Sequence, residues 1–289
     1  MFLQLLFNGI IAGSIYALVA AGFSLIYTTT KFIHFAHGAV LAFSAYVFFQ
    51  LTKVWGLNLT LAILLTLLFA SALGWLLNAT IYKKLRKSNA SSSILLIASI
   101  ALLILLESFI LLIWGANVKT ISVFHIGKGI SILGAIITPL QILILLVSII
   151  LLISLFLLMK KTKLGKALRA VSDNKEVAEI LGISKEKIYS ISFIIGSFIA
   201  GVAGILIGME QNLSPTMGTN LLIKGFVGAV IGGITSVPGS VLGSYLLGII
   251  ENFGIWWLPS GYKDAIAFVL LFIFLLFRPN GLMGKRWNK

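Results

Sequence analysis

The sequence predicts an all-α fold, a polytopic transmembrane helical bundle of about 8–9 spans that includes broken or re-entrant helices. Three observations carry this. Of the 289 residues, 59% are hydrophobic and only 10% charged, with a mean hydropathy of +1.09, too little charge to cover the surface of a water-soluble domain of that length. Uncharged runs extend over residues 1–30 and 54–82, each longer than the ~20 residues that carry a helix across a bilayer. The period-two alternation of a membrane β-barrel is absent, and within hydrocarbon only helices can satisfy their own backbone amides.

Taken in order, the apolar segments are 2–27, 33–51, 56–82, 94–114, 139–159, 188–209, 220–237, 239–257 and 264–277. The first has no basic n-region and is longer than a signal-peptide core, so it reads as a retained span. The long stretch 221–257 exceeds one span, and Pro238-Gly239 breaks it near its middle, giving two passes or a broken pair with a re-entrant piece. If segment 33–51 crosses fully, the amino terminus lies outside; if it is re-entrant, the terminus lies inside. Glycines recur at helical spacing (Gly196, Gly201, Gly204 and Gly208; Gly225, Gly228, Gly232 and Gly233), and small residues on one face let helices approach closely in lipid.

The formal charge of +14 is not spread as in a nucleic-acid binder. It gathers in short connections, the positive-inside pattern. One connection holds Lys83, Lys84, Arg86 and Lys87. A second, 160–187, holds Lys160, Lys161, Lys163, Lys166, Arg169, Lys175, Lys185 and Lys187. The tail holds Arg278, Lys285, Arg286 and Lys289. All three are expected on the cytoplasmic face. The loop 115–138 carries only Lys119 and Lys128 and is expected outside, irregular or with a short strand at Ile121, Val123, Phe124 and Ile126. There is no cysteine, which excludes disulfides, thiolate metal sites and cysteine nucleophiles. No metal or cofactor is expected.

Segment 160–187 is the most informative soluble stretch. Asp173 followed by Glu176 resembles a capping box, which predicts a helix over 174–181 that ends at Gly182. Val177, Ala178, Ile180 and Leu181 give this helix an apolar side, suited to a groove on a partner protein; the bland alternative is a helix resting on lipid. Charges within spans are few. Glu107 lies deep in 94–114, held by hydroxyls or a basic group. Glu251 is placed near a span end at the interface. Lys31, Lys53, Lys224 and Lys263 are expected to snorkel, and Trp256 and Trp257 to form part of an aromatic belt. Asp264 is read as lacking a second acidic partner. His37, beside Gly38 at a helix start, is expected to cap that helix or to bond a neighbouring one.

Glu176-Val177-Ala178-Glu179-Ile180-Leu181-Gly182 resembles the EAA loop of ABC importer permeases. Further stretches narrow the resemblance: Asn8-Gly9, Gly13-Ser14-Ile15-Tyr16-Ala17-Leu18, Ile33-His34-Phe35-Ala36-His37-Gly38, Arg169-Ala170-Val171-Ser172-Asp173-Asn174, Gly232-Gly233-Ile234-Thr235-Ser236-Val237-Pro238-Gly239-Ser240 and Phe277-Arg278-Pro279-Asn280-Gly281-Leu282. In this order they resemble the branched-chain amino acid ABC transporter permease family, LivH type, with His34 standing where that family usually has asparagine. The resemblance implies one transmembrane permease domain over 1–289 with an ABC importer permease fold, in the cell membrane of a prokaryote. It implies a role in amino-acid import by alternating access, as a subunit and not as an enzyme. The implied partners are two ABC ATPase subunits, a second homologous permease, an external solute-binding protein and membrane lipid, with no nucleic acid. Coupling to the ATPase falls on Glu176, Val177, Ala178, Ile180, Leu181 and Gly182. The candidate translocation path is His37, Glu107, Gly232, Gly233 and Pro238. The chain has no G-x-x-x-x-G-K-[ST] phosphate loop, so an ATP engine must sit on partners. A stand-alone carrier or channel is the rival reading; an intramembrane enzyme lacks H-E-x-x-H and G-x-S-x-G motifs.

Overall fold

A computed structural model describes residues 1–121, 129–132 and 134–284. Val123, Phe124, Ile126 and Lys128, and the tail residues Lys285, Arg286 and Lys289, lie outside the described residues. The helices are α1 (Phe2–Thr30), α2 (Ala36–Phe49), α3 (Leu59–Leu77), α4 (Lys83–Lys87), α5 (Ser92–Trp114), α6 (Pro139–Lys161), α7 (Lys163–Asp173), α8 (Lys175–Ile180), α9 (Lys185–Glu210), α10 (Met217–Gly232), α11 (Val237–Gly254) and α12 (Lys263–Phe277). π-Helical turns extend α2 over Gln50–Val54 and join α3 to α4 over Asn78–Tyr82.

Each of the nine apolar segments holds a helix. Among the described residues, six helical stretches are long and apolar enough to cross a membrane, or seven with the α10–α11 pair, bent by 114°, taken as one span. This is roughly the expected number: α10 and α11 count as one bent pair, and α2 continues through the polar turn Gln50–Val54, which carries Gln50 and Lys53 and lowers its apolar character.

The chain forms two compact units. The first comprises Met1–Ser24, Ser122–Leu152 and Leu221–Lys289. Its apolar centre is Val227, Ile231, Leu247 and Ala267, with Tyr16, Leu246 and Leu271 packed around it. Glycine sets the helix spacing here. A Cβ on Gly9 would stand 2.8 Å from Ile249 Cα, and one on Gly13 would stand 2.9 Å from Tyr245 Cα, so the α1–α11 crossing is a small-xxx-small contact. Two short antiparallel strands, β1 (Ile130–Ile132) and β2 (Ala135–Ile137), pair with Ile130 opposite Ile137. The Gln4 amide clips the Ile136 backbone through both its oxygen (2.8 Å) and its nitrogen (3.1 Å).

The second unit comprises Leu25–Ile121 and Ile153–Asn220. Here α9 packs on α2 and α3, and α5 packs on α2. The expected glycine face of α9 is used for this: a side chain at Gly201 would meet Ala70, and one at Gly204 would strike the Leu41 carbonyl. Phe32, His34, Tyr82 and Phe193 form a buried aromatic cluster, in which His34 Nδ1 and the Tyr82 hydroxyl are 2.9 Å apart. Ser99 Oγ accepts from the Phe35 amide at 2.9 Å and donates to the Ile33 carbonyl at 3.2 Å, which ties the α1–α2 connection to α5. The loop after α5 meets the chain after α9 through paired backbone bonds between Lys119 and Leu213 (3.2 and 2.8 Å).

Candidate functional site

The basic connection 160–187 folds as two helices. Thr162 caps α7, accepting from the Gly165 amide at 2.9 Å, and α7 buries Leu168 and Val171. The sequence reading missed α7, although Leu164, Leu168 and Val171 recur at the spacing of one helical face. Because α7 runs through Asp173, the cap of α8 is Asn174 and not Asp173: Asn174 Oδ1 accepts from the amides of Glu176 (2.9 Å) and Val177 (3.1 Å). A residue in helical conformation cannot hold the extended backbone that an N-cap requires; Asn174 does, at φ −151°. At the other end Gly182 has φ +81°, the left-handed geometry expected of a C′ glycine.

The apolar residues of α8 divide between two directions. Ala178 is buried at 1% exposure, anchoring α8 within its own chain, whereas Ile180 is 84% and Leu181 71% exposed. Val177, at 49%, lies between. The outward face is therefore Val177, Ile180 and Leu181, and Ala178 belongs to the inner one. Lys185 Nζ bonds Glu179 at 2.9 Å, an exposed pair that contributes little to stability. Behind it the Arg86 guanidinium holds both Glu186 oxygens (3.1 and 2.9 Å) and the Asn78 amide oxygen (2.9 Å), bracing α4 against the start of α9.

Of the candidate path residues, His37 and Glu107 lie in the second unit. His37 is buried in the first turn of α2, its ring 6.2 Å from that of His34. Glu107 is held by a hydroxyl: Thr219 Oγ1 donates to Glu107 Oε1 at 2.6 Å. The adjacent Gly218 lies so close to Gly38 that a Cβ would strike the Gly38 carbonyl. The start of α10 thus touches both the His37-Gly38 motif and α5 beside Glu107. No sequence signal singled out Thr219 or Gly218.

Gly232, Gly233 and Pro238 lie in the first unit. The helix break falls at 233–236, earlier than Pro238. Pro238 stands in the first turn of α11, where its missing N–H costs nothing, and Ser236 caps that helix by accepting from the Gly239 amide at 3.2 Å. Gly232 abuts Gly239, and Gly233 has φ +106°. The Arg278–Leu282 motif folds back onto this break: the amides of Leu282 and Met283 donate to the carbonyls of Ile231 and Gly232, both at 2.9 Å. Two motifs separated by some forty residues are one piece of structure.

A buried charge network also lies in the first unit. Glu251, near the end of α11, is fully buried, and Lys224 is 11% exposed and paired with it. Lys224 Nζ bonds Glu251 Oε1 and also Asp264 Oδ1 at 2.7 Å, while the Tyr16 hydroxyl donates to Glu251 Oε2 at 3.0 Å. Asp264 therefore does have an acidic neighbour, through the shared lysine. A lone charge in the middle of α10 is too costly to leave unpaired in hydrocarbon; the partners lie on other helices, out of sequence reach.

Apolar helices crossing on glycine, a sharply bent helix pair and an exposed capped helix set in a basic connection define a multi-pass membrane transport permease. The chain belongs to the family described as branched-chain amino acid transport system / permease component, whose model matches residues 5–275. It is 35% identical to the high-affinity branched-chain amino acid transport system permease protein BraD of Pseudomonas aeruginosa, over 98% of this chain and 96% of the relative. It is 32% identical to LivH of Escherichia coli K12, over 98% and 96%, and 31% identical to a probable LivH of Methanocaldococcus jannaschii, over 99% and 94%. The solved structure of PsaBC from Streptococcus pneumoniae in complex with Fab superposes with a TM-score of 0.52 at 14% identity, over 97% of this chain and 93% of that one; it shares the fold. The chain is a transport permease subunit of an ABC importer and not an enzyme.

Proposed function

We propose that this permease imports branched-chain amino acids (leucine, isoleucine and valine) in the cell membrane of a prokaryote, as one transmembrane domain over 1–289. It works with a second homologous permease, two ABC ATPase subunits and an external solute-binding protein. The basic connections and the carboxyl terminus face the cytoplasm, following the distribution of lysine and arginine. ATP-driven closure of the ATPase pair presses on α8 and opens the bundle by alternating access, which requires contacts that differ between the two states. His37, Glu107, Gly232, Gly233 and Pro238 are proposed to border the path.

The observation that carries this is α8: a capped helix of six residues, fixed inward by Ala178 and presenting Ile180 and Leu181 to a partner. Large apolar side chains so exposed beside a basic connection fit a protein groove. The test replaces Glu176 and Gly182 together and measures co-purification of the ATPase subunits. Association is expected to fall while membrane insertion is retained; unchanged co-purification rejects the coupling role. Purified chain alone in liposomes is expected to move no leucine, and uptake without ATPase subunits would favour a stand-alone carrier.

A further inference from the structure

Glu107 stands in α5, a 23-residue apolar span, seven residues short of its end at Trp114, or about 10 Å along the helix axis. No cation pairs with it among the described residues. Its partner there is a neutral hydroxyl, that of Thr219 at 2.6 Å. Glu107 is half-buried and not enclosed. An ionisable group at such a depth faces a water-filled cavity or a polar path, because hydrocarbon offers it no solvation.

The chain beside Glu107 is built the same way. α9 ends at Glu210 and α10 begins at Met217, and Thr219 in the first turn of α10 meets Glu107. The irregular stretch 211–216 therefore reaches span depth, where such backbone is tolerated only if protein buries it or water lines it. Thr216 and Asn220, flanking Thr219, are exposed and extend the polar surface around the carboxyl group. A second polar group nearby lacks a partner. Ala42 of α2 lies against Gly218, and Tyr46, one turn further along that face, is fully buried with its ring 5.3 Å from that of Trp114. Helical side chains lean toward their own N-terminus, which carries the Tyr46 ring back toward Ala42 and the start of α10. Its hydroxyl has no hydrogen-bond partner among the described residues, and a buried O–H calls for an acceptor.

We propose that this recess binds a primary ammonium group, that of the amino acid in transit, with Glu107 as its counter-charge and the Tyr46 hydroxyl donating to the solute's carboxylate. A carboxyl group held on one side by Thr219 and open on the other suits an ammonium, which brings the opposite charge and three donors. Naming an amino acid as the occupant rests on the import reading above; the ammonium site itself does not.

The test uses the full chain in membrane vesicles with Thr216→Cys as a reporter, the chain having no other cysteine. A small charged methanethiosulfonate is expected to modify it; no modification overturns the site, since the recess is then closed to water. Leucine and isoamylamine, which share the ammonium, are each expected to slow the modification about fivefold at concentrations that leave about one site in five empty. 4-Methylpentanoate, which has leucine's carboxylate and no amine, is expected to leave the rate unchanged. Protection by 4-methylpentanoate equal to that by isoamylamine, or protection retained in Glu107→Gln, overturns the ammonium assignment. The ligand comparison is made with Glu107 intact and so stands even where a variant misfolds. Tyr46→Phe is expected to weaken protection by leucine and not by isoamylamine; an equal effect on both overturns the contact with the carboxylate. Leucine uptake by cells carrying the transporter is read alongside. Uptake without protection by either amine rejects the ammonium site alone, whereas protection by isoamylamine without leucine uptake rejects the import reading alone.

Discussion

Lys224 Nζ lies 2.7 Å from Asp264 Oδ1 while the same ammonium bonds Glu251, so one cation joins α10, α11 and α12. Asp264 is 76% exposed and Glu251 fully buried, and the two pairings therefore differ in weight. The exposed one is screened. The buried one stands where loss of a partner strands a charge.

Lys224→Met is expected to destabilise the permease by about 3–5 kcal/mol, the cost of leaving a buried carboxylate without its partner. The Lys224→Met/Glu251→Met double variant should recover most of that loss, and Asp264→Asn alone should change stability by less than about 1 kcal/mol. Thermal unfolding of the detergent-solubilised chain measures all three. A double variant no better than Lys224→Met would assign the loss to packing and not to charge.

Gly233→Val is expected to release the carboxyl-terminal segment from the α10–α11 break. The residue has φ +106°, and an added Cβ would stand 2.8 Å from Gly284 Cα and 3.0 Å from the Asn280 carbonyl oxygen, so both the backbone and the contact oppose a side chain. Carboxypeptidase should trim the variant faster than the parent. Pro238→Ala, at an exposed first-turn position, should trim at the parent rate.

Because the chain has no cysteine, single cysteines report sidedness cleanly. Leu181→Cys, at a 71% exposed position, should react with a membrane-impermeant maleimide only after cells are permeabilised, whereas Asn117→Cys should react in intact cells. Labelling of Leu181→Cys from outside would invert the topology and remove the proposed contact with a cytoplasmic ATPase.

Helix identity was legible because the bilayer imposes it: long uncharged runs can only become helices in hydrocarbon, and each apolar segment did. The ends of α8 were half legible. Gly182 is legible because a left-handed C′ favours glycine, whereas Asp173 reads as the cap only when the Leu164, Leu168 and Val171 face is passed over, since α7 on that face runs through Asp173.

By itself the sequence determined the class, the membrane-spanning character, the glycine faces and the family, since these rest on composition, period and motif order. Only the tertiary structure decided which charges meet, where the α10–α11 pair bends and which α8 side chains face outward. The pairing of Lys224 with Glu251, and of the Arg278–Leu282 motif with Gly232-Gly233, joins residues on different elements. Periodicity fixes a residue's position around its own helix, while the partner across a helix crossing is set by how closely glycines let two backbones approach.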